Sequence, residues 1–193
     1  MESFYSLQGE GYHTGKPAFF IRLAGCDIGC SWCDVKESWN QENSSLIAVE
    51  DIVNQVVKSG TRIAIITGGE PTMYNLEPLT SELKKAGIKT HLETSGVYEI
   101  TGSWDWVCIS PKKFKAPLKK ELLKADELKV VILNKSDFNW AEKHAETVKK
   151  NCKLFLQPEW DKADLVSENI FSYVKDFPQW RISLQTHKYM NIR

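Results

Sequence analysis

The chain carries no surplus of either charge. Among 193 residues, 25 Lys and Arg balance 25 Asp and Glu, so it lacks the strongly basic surface that would mark a nucleic-acid binder. It has no run of about eighteen apolar residues of the kind that crosses a bilayer. The first residues, Met1-Glu2-Ser3-Phe4-Tyr5-Ser6, lack the basic start and apolar stretch of a secretory signal. The expectation is a cytoplasmic protein without membrane or nucleic-acid partners. No repeat, linker or low-complexity stretch interrupts residues 1–193, which suits one domain with a sizeable core.

Cysteine is scarce except in one place. Three of the five cysteines, Cys26, Cys30 and Cys33, fall within eight residues of the stretch Arg22-Leu23-Ala24-Gly25-Cys26-Asp27-Ile28-Gly29-Cys30-Ser31-Trp32-Cys33-Asp34. A disulfide framework would want even numbers and wider spacing, and clustered thiols in a reducing compartment favour metal. Thiolates at this spacing suit zinc or an iron–sulfur cluster. A closed zinc site needs four ligands, as does a cubane held by protein alone, and no fourth cysteine lies nearby. Cys108 and Cys152 are distant and sit in apolar runs, where a small buried hydrophobe is expected. A cubane on three cysteines keeps one iron open, and an open metal position marks a site that transforms a ligand.

Residues 4–17 are glycine-punctuated without a clear period and read as loop. Gly9 and Gly11 suit a turn with positive φ or a close approach to a flat ligand, with Glu10 offering a carboxylate. Phe19-Phe20-Ile21-Arg22-Leu23 reads as a buried strand with a charge inside it, and burying Arg22 unpaired would be expensive. A helix over 50–58 follows, then an apolar strand over 62–67 that runs into Gly68-Gly69-Glu70-Pro71-Thr72. There glycines permit close backbone approach, and proline fixes where the carboxylate points.

Asn75 can cap a helix reaching Gly87, with Leu76, Leu79 and Leu83 on one face. Strands are expected over 89–93, 106–109, 127–132, 153–158 and 181–184. Helices fall between them, one capped by Asp137 and one over about 164–175. His144 fits a packed helix position better than a ligand. The six lysines between Lys112 and Lys124 fit a solvated face. This alternation implies parallel βαβ units. With about 250 residues typical of a full barrel, the chain suits an α/β fold, an incomplete TIM-like barrel of about six strands with a lateral opening.

The loop Cys26-x3-Cys30-x-Trp32-Cys33, together with Gly68-Gly69-Glu70-Pro71 on the following strand, resembles the radical S-adenosylmethionine (SAM) superfamily. That resemblance implies a 4Fe-4S cluster whose open iron is chelated by SAM, and a 5'-deoxyadenosyl radical that abstracts a substrate hydrogen. Across nearly the whole chain, further stretches narrow the likeness. Leu7-Gln8-Gly9-Glu10-Gly11, Thr67, Glu93-Thr94-Ser95-Gly96, Ser110-Pro111-Lys112, Leu156-Gln157-Pro158 and Ser183-Leu184-Gln185-Thr186-His187-Lys188-Tyr189 resemble the 7-carboxy-7-deazaguanine synthase family.

The resemblance implies a carbon–nitrogen lyase and homodimer that contracts 6-carboxy-5,6,7,8-tetrahydropterin to 7-carboxy-7-deazaguanine, losing ammonia, on the way to queuosine and related 7-deazapurines. An electron donor such as flavodoxin is implied as well. Carried over, Cys26, Cys30 and Cys33 hold the cluster. Trp32, Cys33, Asp34, Gly69, Glu70, Ser95, Ser110, Pro111, Lys112, Gln157, Pro158, Glu159 and Trp160 bind SAM. Leu7, Gln8, Gly9, Glu10, Arg22, Thr67 and Arg193 bind the pterin. In that family a Thr or Ser after the Cys-Asp pair ligates magnesium. Here the residue is Val35, so a magnesium ion would need water, backbone or a substitute such as Lys36. Another radical SAM enzyme, such as a glycyl-radical activase, would share the cluster motif but does not need the Gln-Gly-Glu loop. A zinc-binding interaction module would be colourless and closed.

Overall fold

The computed structural model describes residues 2–42 and 44–193. Its frame is one eight-stranded sheet in sequential order: β1 (Glu2–Leu7), β2 (Pro17–Leu23), β3 (Ile63–Gly68), β4 (Lys89–Thr94), β5 (Trp106–Ile109), β6 (Glu127–Ile132), β7 (Lys153–Pro158) and β8 (Trp180–Ile182). Strands β2 to β8 are parallel, each to the next. The curled parallel βα sheet expected from the alternation is therefore present, with more strands than the length suggested.

The extra strand is β1. Residues read as loop from position 4 instead pair antiparallel with β2, Phe4 opposite Phe20 and Leu7 opposite Pro17. Its side chains are mostly half-buried, and Ser3, Tyr5 and Ser6 mask the period that a sequence reading needs. The loop proper is the short stretch after Leu7. The last strand starts one residue and ends two residues earlier than expected, at Ile182, with Ser183 N still donating to Leu156 O at 2.9 Å.

Helices α1 (Val49–Lys58), α2 (Glu77–Lys85), α3 (Lys119–Leu122), α4 (Ser136–Ala145), α5 (Ala163–Asp176) and α6 (Thr186–Tyr189) complete the fold. Apolar residues at helical spacing give most of them one buried stripe. Val56, Leu79, Leu83, Phe138, Ala141, Val166 and Ile170 meet the outer sheet face of Ile66, Leu92, Leu128, Val130, Ile132 and Leu156 in one continuous core. Truncating a buried leucine there, such as Leu128→Ala, costs about 2–5 kcal/mol. No helix among the described residues is long and apolar enough to cross a membrane.

Two helix starts differ from expectation. Asn75 does accept from Glu77 N at 3.1 Å, but Leu76 occupies the capping position. Asp137 lies inside the first turn of α4 and reaches back to Leu133 N (2.7 Å) and Asn134 N (2.8 Å), while Asn134 accepts from Ser136 N at 2.9 Å. His144 packs edge-on against Trp140 at 4.2 Å, the packed role expected of it.

Because strand side chains alternate, β6 sends Leu128, Val130 and Ile132 outward and Glu127, Lys129 and Val131 inward. The sheet stays open between β1 and β8. The C-terminal segment bridges that gap, with Thr186 N donating to Gly9 O (2.9 Å) and Ser6 Oγ to the main-chain oxygen of Arg193 (2.6 Å). Arg193 also pairs with Glu2 at 3.0 Å.

Candidate active site

A cavity of about 290 Å³ opens at the carboxyl ends of the strands, the side where ligands bind in barrels. Every residue singled out from the sequence as a site residue lines it except Pro111, which is buried beside it in the turn after β5.

The thiol loop leaves β2 and is fixed by main chain and by Asp27. Gly25 N donates to Ser38 O (2.7 Å) and Cys26 N to Trp39 O (3.3 Å). Lys115 donates to Asp27 Oδ2 at 2.8 Å, and Tyr98 OH donates to the same oxygen. All three cysteines are free. They share a small apolar cluster with Ile28, Val97, Trp32 and Tyr98.

Burial raises the Cys26 thiol and pushes Cys30 up to about 11. Such thiols ligate only when a cation displaces their protons, so this three-sulfur wall, with Cys30 buried and Cys26 and Cys33 half-buried, fits an iron–sulfur cluster. Among the described residues, no three His, Cys, Asp or Glu side chains are gathered closely enough for a single metal ion. Cys108 and Cys152 are both buried; Cys152 joins the apolar core as expected, whereas Cys108 lies beside Glu93, Glu127 and Lys129.

The Gly68-Gly69 pair answers to the thiol loop. Gly68 has φ +143°, and a Cβ there would lie 2.1 Å from Leu23 O; at Gly69 it would lie 2.2 Å from Gly25 O. Only glycine lets β3 exit this close, and Gly69 N and Glu70 N then bond to Leu23 O (3.0 Å) and Gly25 O (2.8 Å). Glu70 is 1% exposed. Its Oε1 accepts from Thr72 N (3.1 Å), Thr72 Oγ1 (2.6 Å) and Thr94 Oγ1 (2.5 Å), and its Oε2 from Ser95 N (2.8 Å) and Ser95 Oγ (2.5 Å). This carboxylate is saturated, so it braces β3 against β4, and what the segment offers a ligand is its main chain.

Further round the rim, Lys112 Nζ donates to Ser110 Oγ (2.6 Å) and lies 5.2 Å from the Trp32 ring. Buried Gln157 accepts from Ser183 Oγ at 2.7 Å, and Glu159 Oε1 accepts from Asp161 N at 3.3 Å. Trp160 meets Tyr189 edge-on at 5.2 Å, with Lys188 over its ring at 4.9 Å. Of the other lysines of the 112–124 run, Lys113, Lys119, Lys120 and Lys124 are exposed, with Lys113 paired to Asp137 and Lys124 to Glu121, while half-buried Lys115 holds the thiol loop through Asp27.

Arg22 lies 3.3 Å from Glu2 Oε1, yet its Nε makes no aligned hydrogen bond. Its partner is thus Glu2 by charge alone. Gly9 faces the His187 ring, 2.1 Å from where its Cβ would be, while Gly11 adopts φ +65° against Glu127. The close approach at Gly9 is to the C-terminal segment.

Sequence reasoning passed over Lys129. It is buried, lines the cavity and donates to Glu10 Oε2 (2.6 Å) and Glu93 Oε2 (3.0 Å). The signal was the one that drew attention to Arg22, a charge inside an apolar strand. Gln185, His187 and Lys188 also line the cavity, all from the C-terminal stretch noted only for its likeness.

Magnesium finds no direct ligand at position 35. The Val35 side chain has no oxygen, its carbonyl accepts from Ser38 N (3.0 Å) and Ser38 Oγ (2.6 Å), and neighbouring Asp34 is held by Lys188 at 2.7 Å. Lys36 is exposed and is not among the residues lining the cavity.

A trimmed parallel βα barrel with a three-thiol loop after its first parallel strand defines the class, and residues 20–107 match the family model described as Radical SAM superfamily. Along its whole length the chain is 52% identical to a 7-carboxy-7-deazaguanine synthase of Flavobacterium psychrophilum, covering 91% of that protein, and 47% identical to one of Synechocystis, covering 92%. It also resembles the crystal structure of QueE from Escherichia coli, with TM-score 0.84 and 35% identity, over 96% of this chain and 92% of that one. The chain belongs to the 7-carboxy-7-deazaguanine synthase family.

Proposed function

We propose that this chain, acting as one domain, converts 6-carboxy-5,6,7,8-tetrahydropterin to 7-carboxy-7-deazaguanine with loss of ammonia, in the biosynthesis of queuosine and related 7-deazapurines. The supporting observation is that one cavity joins the three-thiol loop to a guanidinium paired by charge alone and a half-buried acidic pair. A glycyl-radical activase or a zinc module has no use for that combination.

Cys26, Cys30 and Cys33 hold the 4Fe-4S cluster. Trp32, Asp34, Gly69, Ser95, Ser110 to Lys112 and Gln157 to Trp160 surround SAM, with Glu70 acting through the brace it makes. Bound together, cluster and SAM supply one-electron hydrogen abstraction. The chain's own part is to orient the pterin and keep water from it. Arg22 pairs with the substrate carboxylate, for which a guanidinium fork is the natural partner. Glu10 and main-chain groups of Leu7 to Gly9 read the aminopyrimidinone edge, flanked by Thr67 and by Arg193. Lys188, already on Asp34, supplies positive charge where the family places magnesium.

An electron donor such as flavodoxin must deliver the electron, and the clustered thiols suit the cytoplasm. The exposed apolar side chains of Ile182, Leu184, Tyr189 and Met190 beside the open sheet edge favour a homodimer, which light scattering at graded concentration would test.

The deciding experiment is mass spectrometry of anaerobically reconstituted protein given SAM, reductant and 6-carboxytetrahydropterin. Product lighter by one ammonia, without matching consumption of SAM, is expected. A brown protein releasing only 5'-deoxyadenosine would refute the substrate. A second arm is Arg22→Ala, expected to weaken pterin binding with the cluster intact; unchanged affinity removes Arg22 from the site.

A further inference from the structure

We infer that Lys129 is a positioning residue for the pterin reaction: its ammonium clamps Glu10 and Glu93 into one fixed acceptor pair at the cavity floor. This rests on the substrate proposed above.

The clamp is visible in its connections. From its single ammonium, Lys129 reaches Glu10 Oε2 at 2.6 Å and Glu93 Oε2 at 3.0 Å. The outer oxygens are held in turn, Glu10 Oε1 by Gln185 Nε2 (2.9 Å) and Glu93 Oε1 by Gln8 Nε2 (3.1 Å). Gln8 Oε1 accepts from Glu10 N at 3.1 Å. The network thus ties the loop after β1, strands β4 and β6 and the start of the C-terminal segment into one piece.

Two carboxylates and one ammonium leave a net negative charge on this floor. Each carboxylate also keeps acceptor capacity beyond the bonds named, since it has about four lone-pair sites. A ring edge presenting several N–H groups matches such a surface, and a second anion does not.

Removing the ammonium changes the chemistry of the pair. Glu10 and Glu93 would then face each other with their charges unscreened, and one of two such carboxylates takes up a proton near neutrality. In the protein as it stands, burial pushes Glu10 up, but Lys129 and Gln185 outweigh it and hold it at about 2. Burial likewise opposes the Lys129 charge, yet Glu10 and Glu93 raise it well above its ordinary value. The other titratable groups facing the pair are Cys108, Glu127, Lys112 and His187.

The test is anaerobic calorimetry of 6-carboxytetrahydropterin binding to the reconstituted enzyme without reductant, from pH 6 to 8.5, on wild type, Lys129→Met and Lys129→Arg. Lys129→Met should bind about tenfold more weakly at pH 8.5, the size of one lost charge-assisted hydrogen bond. It should weaken further toward pH 6, by more than wild type and Lys129→Arg, in which Glu127 is the carboxylate that titrates across this range. A lysine that merely fills space would leave no such difference. Lys129→Met binding like wild type throughout, or a wild type weakening as steeply toward pH 6, overturns the role. Should Lys129→Met fail to fold, Lys129→Gln is read the same way. Wild type that does not bind the pterin at all refutes the substrate reading instead.

Discussion

Glu10 and Glu127 both face the interior of the same barrel, both are largely withdrawn from water and both feel the charge of Lys129, yet they ionise in opposite ranges. Burial pushes each one up. For Glu10 the ammonium donates directly and wins, holding the acid at about 2. Glu127 receives only neutral donors, Tyr12 N at 3.2 Å and Trp106 Nε1 at 3.1 Å. Burial prevails there over the more distant pull of Lys129, with Glu93 adding to it, and Glu127 rises to about 7. A few ångströms of lysine placement separate the two outcomes.

The same division runs through the whole interior. At the carboxyl ends of the strands, polar groups are charged, reciprocally bonded and open to the cavity. At the amino ends, Tyr12 stacks on Trp106 at 5.1 Å and His13 lies against His91 at 4.6 Å. Both nitrogens of His13 lack a partner. Burial, then neighbouring Lys16 and Lys89, lowers His13 to about 4; His91 is likewise lowered to about 4 by burial and by His13. This lower level is a plug that tolerates polar atoms by keeping them neutral. Barrels place chemistry at one end and stability at the other, and here the protonation states follow that division.

The largest expected effect is on the upper level. Glu70→Ala strands the hydroxyl and main-chain donors of Thr72, Thr94 and Ser95, at about 1–3 kcal/mol for each buried group left unsatisfied. With relaxation and water entry, a total of about 3–5 kcal/mol is expected in urea unfolding of the apoprotein. A loss below about 1 kcal/mol would mean the brace is not built as described.

Glu127→Gln should do the reverse. Its folded pKa lies above the unfolded value, so the stability it confers is full below about 4.5 and is lost as pH rises through about 7. The amide keeps an acceptor for Tyr12 and Trp106 without the charge. At pH 8 the variant should gain on the order of 1–3 kcal/mol, and the gain should vanish near pH 4.5. A loss at pH 8 would place Glu127 with Glu10, as a charge the fold wants.

A smaller effect comes from His13. Its folded pKa is below the unfolded one, so its contribution is present above about 6.5 and fades as pH falls toward 4. His13→Phe removes two unpartnered nitrogens and keeps a ring against His91 and Trp106. The urea midpoint of the variant should therefore hold up better than that of wild type between pH 6.5 and 4.5, where Glu127 contributes equally to both. Equal slopes would show that His13 finds water in solution.

Much of this was legible in the chain. The thiol spacing and Gly-Gly-Glu-Pro segment announced the site because both motifs are local. Strands β2 to β7 were legible because their outward faces are continuous apolar runs. Strand β1 escaped because an edge strand with one half-exposed face and polar interruptions has no period to read. Lys129 escaped because its meaning depends on Glu10 and Glu93, 119 and 36 residues away. The saturation of Glu70 likewise needs Thr94 and Ser95 from the next strand, which no local pattern could supply.

The smallest effect tests whether the upper level is charge-complete without a metal. Asp34 is already neutralised by Lys188 at 2.7 Å, and Gln185 Nε2 lies 3.5 Å from the same oxygen. Val35 presents methyl groups to the cavity beside them. Magnesium demands oxygen ligands in near-octahedral geometry and dehydrates reluctantly, so it has little to gain here. Turnover should therefore be nearly the same with added magnesium and with chelator. Val35→Thr restores an oxygen without changing shape much, and should introduce a response of a few-fold at most, because Lys188 still competes for Asp34. In Val35→Thr combined with Lys188→Met the response should grow, since the ion then meets an unpaired carboxylate. If wild-type turnover instead collapses with chelator, Lys188 is not the charge that stands in for the metal, and the carboxyl-end network is incomplete without an ion.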